Sequence, residues 1–556
     1  MTLRMRLAGS VWTNHMARAI SVRGYLNRVR LLTILIGFLL VGMARADQIL
    51  LVPLDSRPAS GQFAQWIGRI GGADVRMPPY QTLGRFTSPG QPDAILDWLE
   101  AQPIEKLDAL VVSTDMIAYG GLIESRVNSV PLGVAKARLN RLVKLRERAP
   151  NLQIYAFSAV MRLAPTATRQ AASWRMQLAR LVELEDQSRQ TGSPELREKI
   201  RNATQMVPAE EVRRYRATRK RNHELQGHLL YLSKKGDLDY LILGQDDARE
   251  YGPHVSETNA LRAAVSQNNL DARVFFCEGI DQHSNILISR AMLRAANWAP
   301  RVRIVFSDPS TVNQIALYES KPIRKSLEDQ IFAAGARPAT GDGLYDYSLF
   351  INSPNPRASS FEIFSTLLGQ EIDLGQPVAV ADINLGASGV ADPRLFQVLT
   401  ERNRAEKLLS YAGWNTAGNT LGTAIPAANI AAMSHKLGNR SVDNEVARCE
   451  FLLHRMVNDF AYHRYTRPAA YQLIAELPGA SKEETTGSSL SAVNNFVQRD
   501  LARFLGEYFR DMFFGTKIDA SDGAYTISTL EDVKVWLPWP RAYEVRLDFK
   551  LRATKN

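Results

Sequence analysis

Short, continuous apolar runs recur along this chain and are the feature that most constrains its fold. Each run spans about four to six residues and is bounded by polar or acidic residues rather than alternating with them. Continuous runs of this length are typical of strands buried on both faces of a parallel sheet. They lie at residues 49–54, 109–113, 153–157, 240–244, 273–276, 303–306, 377–381 and 408–412.

Between these runs lie stretches in which apolar residues recur at helical spacing. In residues 134–148, for example, Leu139, Leu142 and Leu145 share one helical face. Alternating strands and helices indicate βαβ units, and hence an α/β fold that is either a doubly wound sheet or a (β/α) barrel. The number of candidate strands favours a barrel-like catalytic domain, with a split sheet as the open alternative.

Two regions depart from the βαβ pattern. Residues 165–236 are polar, basic and helical in pattern, and they are too long for a simple crossover, so we predict a helical insertion there. Beyond residue 430 helical stretches give way to alternating strands at 533–537 and 545–549. The predicted organisation is a barrel-like catalytic domain over 47–430 and a small α+β C-terminal cap over 431–556.

The first 46 residues predict a secretory signal peptide. Arg28 and Arg30 precede an apolar run at 31–42, which is followed by Ala44-Arg45-Ala46. A basic start, a short apolar stretch and an A-x-A ending are the parts of such a signal. The run is shorter than the roughly 20 residues needed to cross a bilayer. We therefore expect a periplasmic or secreted protein with no stable membrane span after cleavage, and a membrane anchor or buried helix is the alternative.

The charge of the chain reflects this targeting segment more than a binding partner. The formal net charge is +11, but seven arginines and no acid lie within residues 1–46, which leaves +4 for the remainder. A mildly basic protein of this kind has no electrostatic signature of nucleic-acid binding, and we expect no nucleic-acid partner.

Polar and aromatic residues follow most of the predicted strands. Ligands bind outside the carboxyl ends of strands in α/β sheets and barrels, so these positions predict a binding cleft. A single Asp at such a place is also a common turn or helix-cap residue. The candidate substrate-binding residues are Asp55, Arg57, Asp115, Tyr119, Glu278, Asp281, Asp382, Trp414, Asn415 and Asn419.

Asp246 and Asp247 are the candidate catalytic residues. They come directly after the run at 240–244, where both side chains of a fraying strand can reach the same cleft. Two close carboxyl groups raise one another's proton affinity, so one can act as an acid while the other stays ionised. Glycoside hydrolysis requires such a pair, as does the variant in which an N-acetyl group of the substrate is the nucleophile. A double-Asp helix cap is the structural alternative.

Two other kinds of function fit the same residues. Asp55, Asp115, Asp247 and His283 carry the ligand types of a metal-dependent hydrolase, although no HExxH-like spacing supports a metal site. A carbohydrate-binding envelope protein without turnover is the non-enzymatic alternative. We expect no cofactor. Cys277 follows an apolar run and is interpreted as a buried thiol rather than as a metal ligand.

Five motifs together resemble a bacterial family catalogued as domain of unknown function 4127. They are VPLDSRP, STDMIAYGGLIESR, GQDDAREYG, EGIDQHSNILISRA and YAGWNTAGNTLGTA, and the resemblance spans roughly residues 48–549. It implies an exported or envelope-associated bacterial protein with a barrel-like α/β fold, and no settled activity.

A second resemblance is confined to short motifs around the acidic pair. The adjacent Asp-Asp at a strand end is similar to that of O-GlcNAcase and bacterial hyaluronidase-type hexosaminidases. This resemblance implies that Asp246 orients the acetamide of the substrate, that Asp247 is the general acid, and that Asn415 corresponds to an Asn in a late strand loop. Together with the strand-end pattern, it leads us to expect an exported glycoside hydrolase that acts on a glycan containing N-acetylhexosamine.

Overall fold

The computed structural model describes residues 47–168, 170–341, 343–386, 388–438 and 440–556. The predicted signal peptide, residues 1–46, lies outside this described part. Within it, no helix combines the length and the apolar character needed to cross a membrane. The described residues from 47 onward belong to one compact unit.

Five of the predicted apolar runs and one strand that was not predicted, β2, form a first, fully parallel sheet. Its strand order is β2-β1-β3-β4-β5-β6, and β3 and β5 are buried nearly throughout, as continuous apolar runs require. The strands are β1 (Gln48–Val52), β2 (Asp74–Arg76), β3 (Ala109–Ser113), β4 (Gln153–Val160), β5 (Tyr240–Gln245) and β6 (Val274–Glu278).

A second sheet of five parallel strands follows in the chain. Its order is β11-β10-β9-β7-β8. The strands are β7 (Arg301–Phe306), β8 (Arg337–Pro338), β9 (Tyr347–Asn352), β10 (Val378–Asp382) and β11 (Ser410–Ala412). A third, antiparallel sheet contains β12 (Lys517–Ala520), β13 (Gly523–Trp536) and β14 (Arg546–Lys555).

The mixed α/β class with parallel strands is therefore confirmed, whereas a closed barrel is not detected among the described strands. The parallel strands divide into two open sheets, each with two edge strands. The division arises because β6 pairs only with β5, while β7 pairs with β8 and β9, so no ladder connects the two sheets.

The helices connect the strands and cover the sheets. They are α1 (Gln62–Ile70), α2 (Pro92–Glu100), α3 (Thr114–Tyr119), α4 (Leu122–Ser125), α5 (Leu132–Arg148), α6 (Arg175–Thr191), α7 (Leu196–Gln205), α8 (Ala209–Lys235), α9 (Pro253–Gln267), α10 (His283–Ala295), α11 (Ile323–Ala333), α12 (Ala358–Asp373), α13 (Pro393–Thr400), α14 (Ala417–Lys436), α15 (Val442–Arg455), α16 (Arg467–Glu476) and α17 (Gly487–Met512). A π-helical segment, Met456–Thr466, joins α15 to α16.

The main core lies between the two parallel sheets. Helices α1, α10 and α14 pack against one another there, and α14 also contacts β10 and β11. Nearly every side chain of α14 is buried, which explains why its sequence is rich in Ala and shows no polar face. Helices α2, α5, α8 and α9 contribute to a separate core on the other face of the first sheet.

The region predicted as a helical insertion contains α6, α7 and α8. Small apolar clusters of their own hold these helices together, with Leu178 and Tyr215 in one and Leu181 and Leu196 in another. The predicted division at residue 430 falls inside α14, and the boundaries of the domains stay a prediction. Both cysteines, Cys277 and Cys449, are buried and free.

Candidate functional site

A cavity of ≈570 Å³ lies at the carboxyl ends of the strands of the first sheet. Segments that follow β1, β3, β4, β5 and β6 all contribute to its wall, because the carboxyl ends of parallel strands meet at one edge of the sheet. Residues from the second half of the chain close the other side. The charged residues at the strand-end side include Arg57, Arg126, Arg162, Asp246, Asp247 and Asp281.

Asp246 is a buried carboxylate held by an arginine. Arg126 Nη2 donates a hydrogen bond of 2.5 Å to Asp246 Oδ2, and both side chains are about 6% exposed. Asp246 Oδ1 accepts a hydrogen bond from the backbone N–H of Asp247 at 3.0 Å. Burial opposes ionisation, but the charges of Arg126 and Arg162 hold the pKa of Asp246 below its usual value.

Asp247 lies in a different environment, although it is the next residue. Its Oδ2 forms an ion pair with Arg162, its side chain is 30% exposed, and its Oδ1 accepts no hydrogen bond from the part of the chain that the structure describes. Burial raises the pKa of Asp247, and the charge of Asp246 adds to this effect against the opposing charge of Arg162. The two neighbouring carboxyl groups therefore shift in opposite directions.

Arg57 joins the ends of β1 and β6 at the cavity wall. Its Nη2 lies 2.7 Å from Asp55 Oδ2 and 2.6 Å from Asp281 Oδ1, and its guanidinium lies 4.9 Å from the ring centroid of Trp539. Asp55 also accepts a hydrogen bond from Ser60 Oγ at 2.9 Å. Arg57 and Asp281 line the cavity, whereas Asp55 is not part of the wall and holds Arg57 in place through their ion pair.

The loop after β11 brings Asn415 to the cavity. Asn415 has a left-handed backbone (φ 57°), and its Oδ1 accepts a hydrogen bond from Tyr543 Oη at 2.8 Å. Asn419 lies behind it, where its Nδ2 donates to Gln282 at 2.7 Å. Trp414 is 7% exposed and lines a small neighbouring cavity instead. Of these three predicted residues, only Asn415 lines the main cavity.

Asp115 and Tyr119 are not part of the cavity wall. Asp115 Oδ2 accepts the backbone N–H of Ala159 at 2.9 Å, so this carboxyl group ties the end of β3 to β4. Tyr119 lies under Arg221, whose guanidinium is 4.1 Å from its ring centroid. Both side chains are buried and fulfil packing roles.

Glu278 and Asp382 also lie away from the cavity. Glu278 accepts hydrogen bonds from the backbone N–H and the hydroxyl of Ser320, at 3.1 and 2.6 Å. Asp382 belongs to the second sheet, where it accepts from Asn352 Nδ2 at 2.9 Å and from the backbone N–H of Asp392 at 2.6 Å. The strand-end rule therefore finds acids at strand ends, but neighbouring backbone and side-chain donors engage these two carboxyl groups away from the cavity.

Asp115→Asn should make stability less dependent on pH. Burial raises the pKa of Asp115 to about 7, so the stability that the protonated carboxyl contributes is fully present below the unfolded pKa near 4 and is lost as pH rises through 7. We expect the variant to lose about 4 kcal/mol of this dependence between pH 4 and 8, measured by urea unfolding, because each pKa unit corresponds to about 1.4 kcal/mol. Exposed Asp93→Asn is the control, and an unchanged pH profile in the Asp115 variant would refute the assignment.

The structure also shows cavity residues that the sequence patterns did not single out. Arg162 lies two residues after β4, while Arg175, Arg467, Lys482 and Tyr543 come from helices and loops far apart in the chain. Of these residues, only Arg162 could have been identified from the sequence, because it comes after a predicted strand. The others are basic or aromatic residues of ordinary polar segments.

The predicted metal ligands do not form a cluster. Across residues 47–556, apart from the four undescribed positions, no three His, Cys, Asp or Glu side chains converge on a point that could hold a metal ion. Asp115 accepts the backbone N–H of Ala159. His283 is fully buried, and its ring centroid lies 5.9 Å from that of Phe157.

The fold and the cavity define a mixed α/β protein with a candidate active site at the strand ends of its first sheet. A family model covers residues 49–548, and the chain belongs to this family, which is described as protein of unknown function (DUF4127). This confirms the first resemblance seen in the motifs.

Comparisons with characterised proteins do not indicate an activity for this chain. No curated protein matches the chain. Among solved structures, the carboxyl transferase domain of Rhizobium etli pyruvate carboxylase, determined with 3-bromopyruvate, is similar over 92% of this chain and 88% of that one, with 9% identity and a TM-score of 0.17. At that TM-score the similarity supports neither a shared fold nor a shared activity.

Proposed function

We propose that this protein is an exported glycoside hydrolase that cleaves an N-acetylhexosaminide by substrate-assisted acid–base catalysis. One observation carries the proposal: two adjacent carboxyl groups in the cavity at the strand ends have pKa values shifted in opposite directions. Pairs of titratable groups whose environments separate their pKa values mark the acid and the base of a site.

In this proposal Asp247 is the general acid and Asp246 orients the nucleophile. The acetamide oxygen of the sugar bonds to C1 from the face opposite to the leaving group, which requires a β-glycoside. Asp247 transfers its proton to the glycosidic oxygen as the C1–O bond breaks, and ionised Asp246 accepts the acetamide N–H. The partial exposure of Asp247, and an Oδ1 that accepts no hydrogen bond from the described residues, suit contact with a leaving group.

In the second step Asp247 acts as the general base instead of the general acid. Ionised Asp247 accepts a proton from water, the water oxygen bonds to C1, and the acetamide is restored. Asp246 stays ionised throughout, as its pairing with Arg126 favours. The anomeric configuration is therefore retained.

The rate should have a bell-shaped dependence on pH. The active form needs ionised Asp246 and protonated Asp247, so kcat/KM should rise as pH increases through the lowered pKa of Asp246. It should fall as pH increases further through the raised pKa of Asp247. The measurement is kcat/KM for an aryl β-N-acetylglucosaminide from pH 3 to 9. A rate that increases steadily to alkaline pH would contradict the assignment of the acid.

Fluorination of the acetyl group tests the substrate assistance. Each fluorine withdraws electrons from the acetamide oxygen, so kcat/KM should fall steeply from N-acetyl to N-trifluoroacetyl substrates if this oxygen attacks C1. If a protein carboxylate were the nucleophile, the rates would be nearly equal, and the substrate-assisted mechanism would be wrong.

A non-catalytic carbohydrate-binding protein is the second candidate. The ion pairs of Asp246 with Arg126 and of Asp247 with Arg162 favour it, since both carboxylates already have a positive partner. Calorimetry that detects sugar binding without any turnover would support this candidate over the hydrolase.

A further inference from the structure

The cavity wall carries more positive than negative charge. Its basic side chains outnumber its acidic side chains by two to one, counting Asp and Glu against Arg and Lys. Three of the basic groups, Arg57, Arg126 and Arg162, form ion pairs with aspartates of the strand ends. The excess therefore comes from other parts of the wall.

Three basic side chains elsewhere on the cavity wall form no ion pair with any acid that the structure describes. Arg175 and Lys482 form no ion pair with any side chain that the structure describes, and Arg467 Nη2 donates to the backbone oxygen of Ser388 at 2.7 Å. Lys482 Nζ instead lies 5.1 Å from the ring centroid of Tyr471. Unpaired cations in a concave site raise the local concentration of anions.

The electrostatics of Arg175 reflect the basic character of this wall. Burial lowers the pKa of Arg175, and the nearby positive charge of Arg162 lowers it further, against a smaller opposing effect of Glu483. A bound anion between these groups would relieve this repulsion.

Two arginines of the cavity wall each have an N–H group without a hydrogen-bond partner among the described residues. Nε of Arg126 and Nε of Arg162 are buried and have no hydrogen-bond partner among the described residues, although each guanidinium is ion-paired through Nη2. Buried donors are normally satisfied, and an unsatisfied donor at a binding site gains from a ligand oxygen.

We propose that this cavity binds an anionic glycan, in which a carboxylate or phosphate group on or next to the N-acetylhexosamine contacts Arg175, Arg467 and Lys482. The sugar part of this inference rests on the proposed function, and the anion part rests on the unpaired cations. Guanidinium groups pair with carboxylate and phosphate oxygens through two parallel hydrogen bonds, so either oxyanion has the required chemistry.

Calorimetry with three sugars tests the charge preference. The purified protein is titrated with neutral N-acetylglucosamine, with N-acetylglucosamine 6-phosphate and with N-acetylmuramic acid, which carries a carboxylate. We expect at least one acidic sugar to bind at least tenfold more tightly than the neutral one, with a preference that shrinks at high salt. The stronger of the two acidic sugars identifies the source of the anion.

Charge-neutral variants link the preference to this wall. Arg175→Gln combined with Lys482→Gln should reduce the preference for the acidic sugar to less than about threefold, because each lost charge-assisted contact removes binding selectively from the anion. Arg197→Gln, an exposed arginine on α7 outside the cavity wall, is the matched control and should retain the full preference. Equal affinities, no binding of any of the three sugars, or a preference that survives the double variant would each overturn the inference.

The same experiment separates this inference from the proposed function. Preferred binding of an acidic sugar without hydrolysis of any aryl N-acetylglucosaminide would support the anionic site and refute the hydrolase. Hydrolysis of a neutral aryl N-acetylglucosaminide with no preference for acidic sugars would support the hydrolase and refute the anionic site.

Discussion

Asp247→Asn should lower kcat/KM for an alkyl β-N-acetylglucosaminide by about 10²–10⁴-fold, the usual contribution of a general acid. Asparagine has the shape of aspartate but no proton to transfer to the glycosidic oxygen. The loss should depend on the leaving group. A dinitrophenyl group departs without protonation, so the same variant should cleave that substrate with a much smaller defect in the first step.

Two controls accompany this variant. Asp271→Asn replaces an exposed aspartate that accepts a hydrogen bond from Ser266 and lies outside the cavity wall, so it should leave the rate unchanged. Near-UV circular dichroism establishes that the Asp247 variant is folded. An equal loss for all leaving groups would contradict the role of Asp247 as acid, and full activity would contradict its place in the site.

Asp459→Ala should lower the free energy of unfolding by about 3–5 kcal/mol, the cost of breaking a buried ion pair. Asp459 and Arg455 are both fully buried, with Asp459 Oδ1 3.1 Å from Arg455 Nη1. Removal of Asp459 leaves the arginine charged and unpaired in the core. It also removes the acceptor of the Gly413 backbone N–H, at 2.9 Å, just before the loop that carries Asn415.

Urea unfolding of matched variants measures this effect. Asp93→Ala breaks an ion pair at the surface, where the carboxylate is 63% exposed, and should change stability little. The double variant Arg455→Met with Asp459→Leu replaces the pair by apolar side chains and should lose less stability than Asp459→Ala alone. If Asp459→Ala is no less stable than Asp93→Ala, the buried pair does not have the structural role assigned to it.

Most strands of the two parallel sheets were predictable from the chain because they are local apolar runs, whereas the short β2 and β8 are not. The pairing of the strands was not predictable, because a run does not specify its neighbour in the sheet. Eight or more strands therefore favoured a barrel, whereas the structure divides them between two open sheets. Strand β9 was not predicted, because the polar residues Ser348 and Asn352 shorten its apolar run to three residues. Both polar side chains are nevertheless buried.

The part of the candidate site that lies at the strand ends was predictable from the sequence. Asp246, Asp247, Arg57 and Asp281 follow strands of the first sheet and line the cavity. Asp382 also ends a strand, but it accepts hydrogen bonds from Asn352 and Asp392 away from the cavity. The cations Arg175, Arg467 and Lys482 were not predictable, since only the tertiary fold brings α6, α16 and the loop around Lys482 to the wall of one cavity.

Hydrolysis of 4-nitrophenyl N-acetyl-β-D-glucosaminide in the presence of EDTA tests the central claim most directly. The account predicts that the wild-type protein releases 4-nitrophenol at the same rate with and without the chelator, and that Asp246→Asn lowers this rate strongly because the acetamide loses its orienting carboxylate. No release by the wild-type protein, a loss of activity on chelation, or an unchanged rate in Asp246→Asn would contradict it.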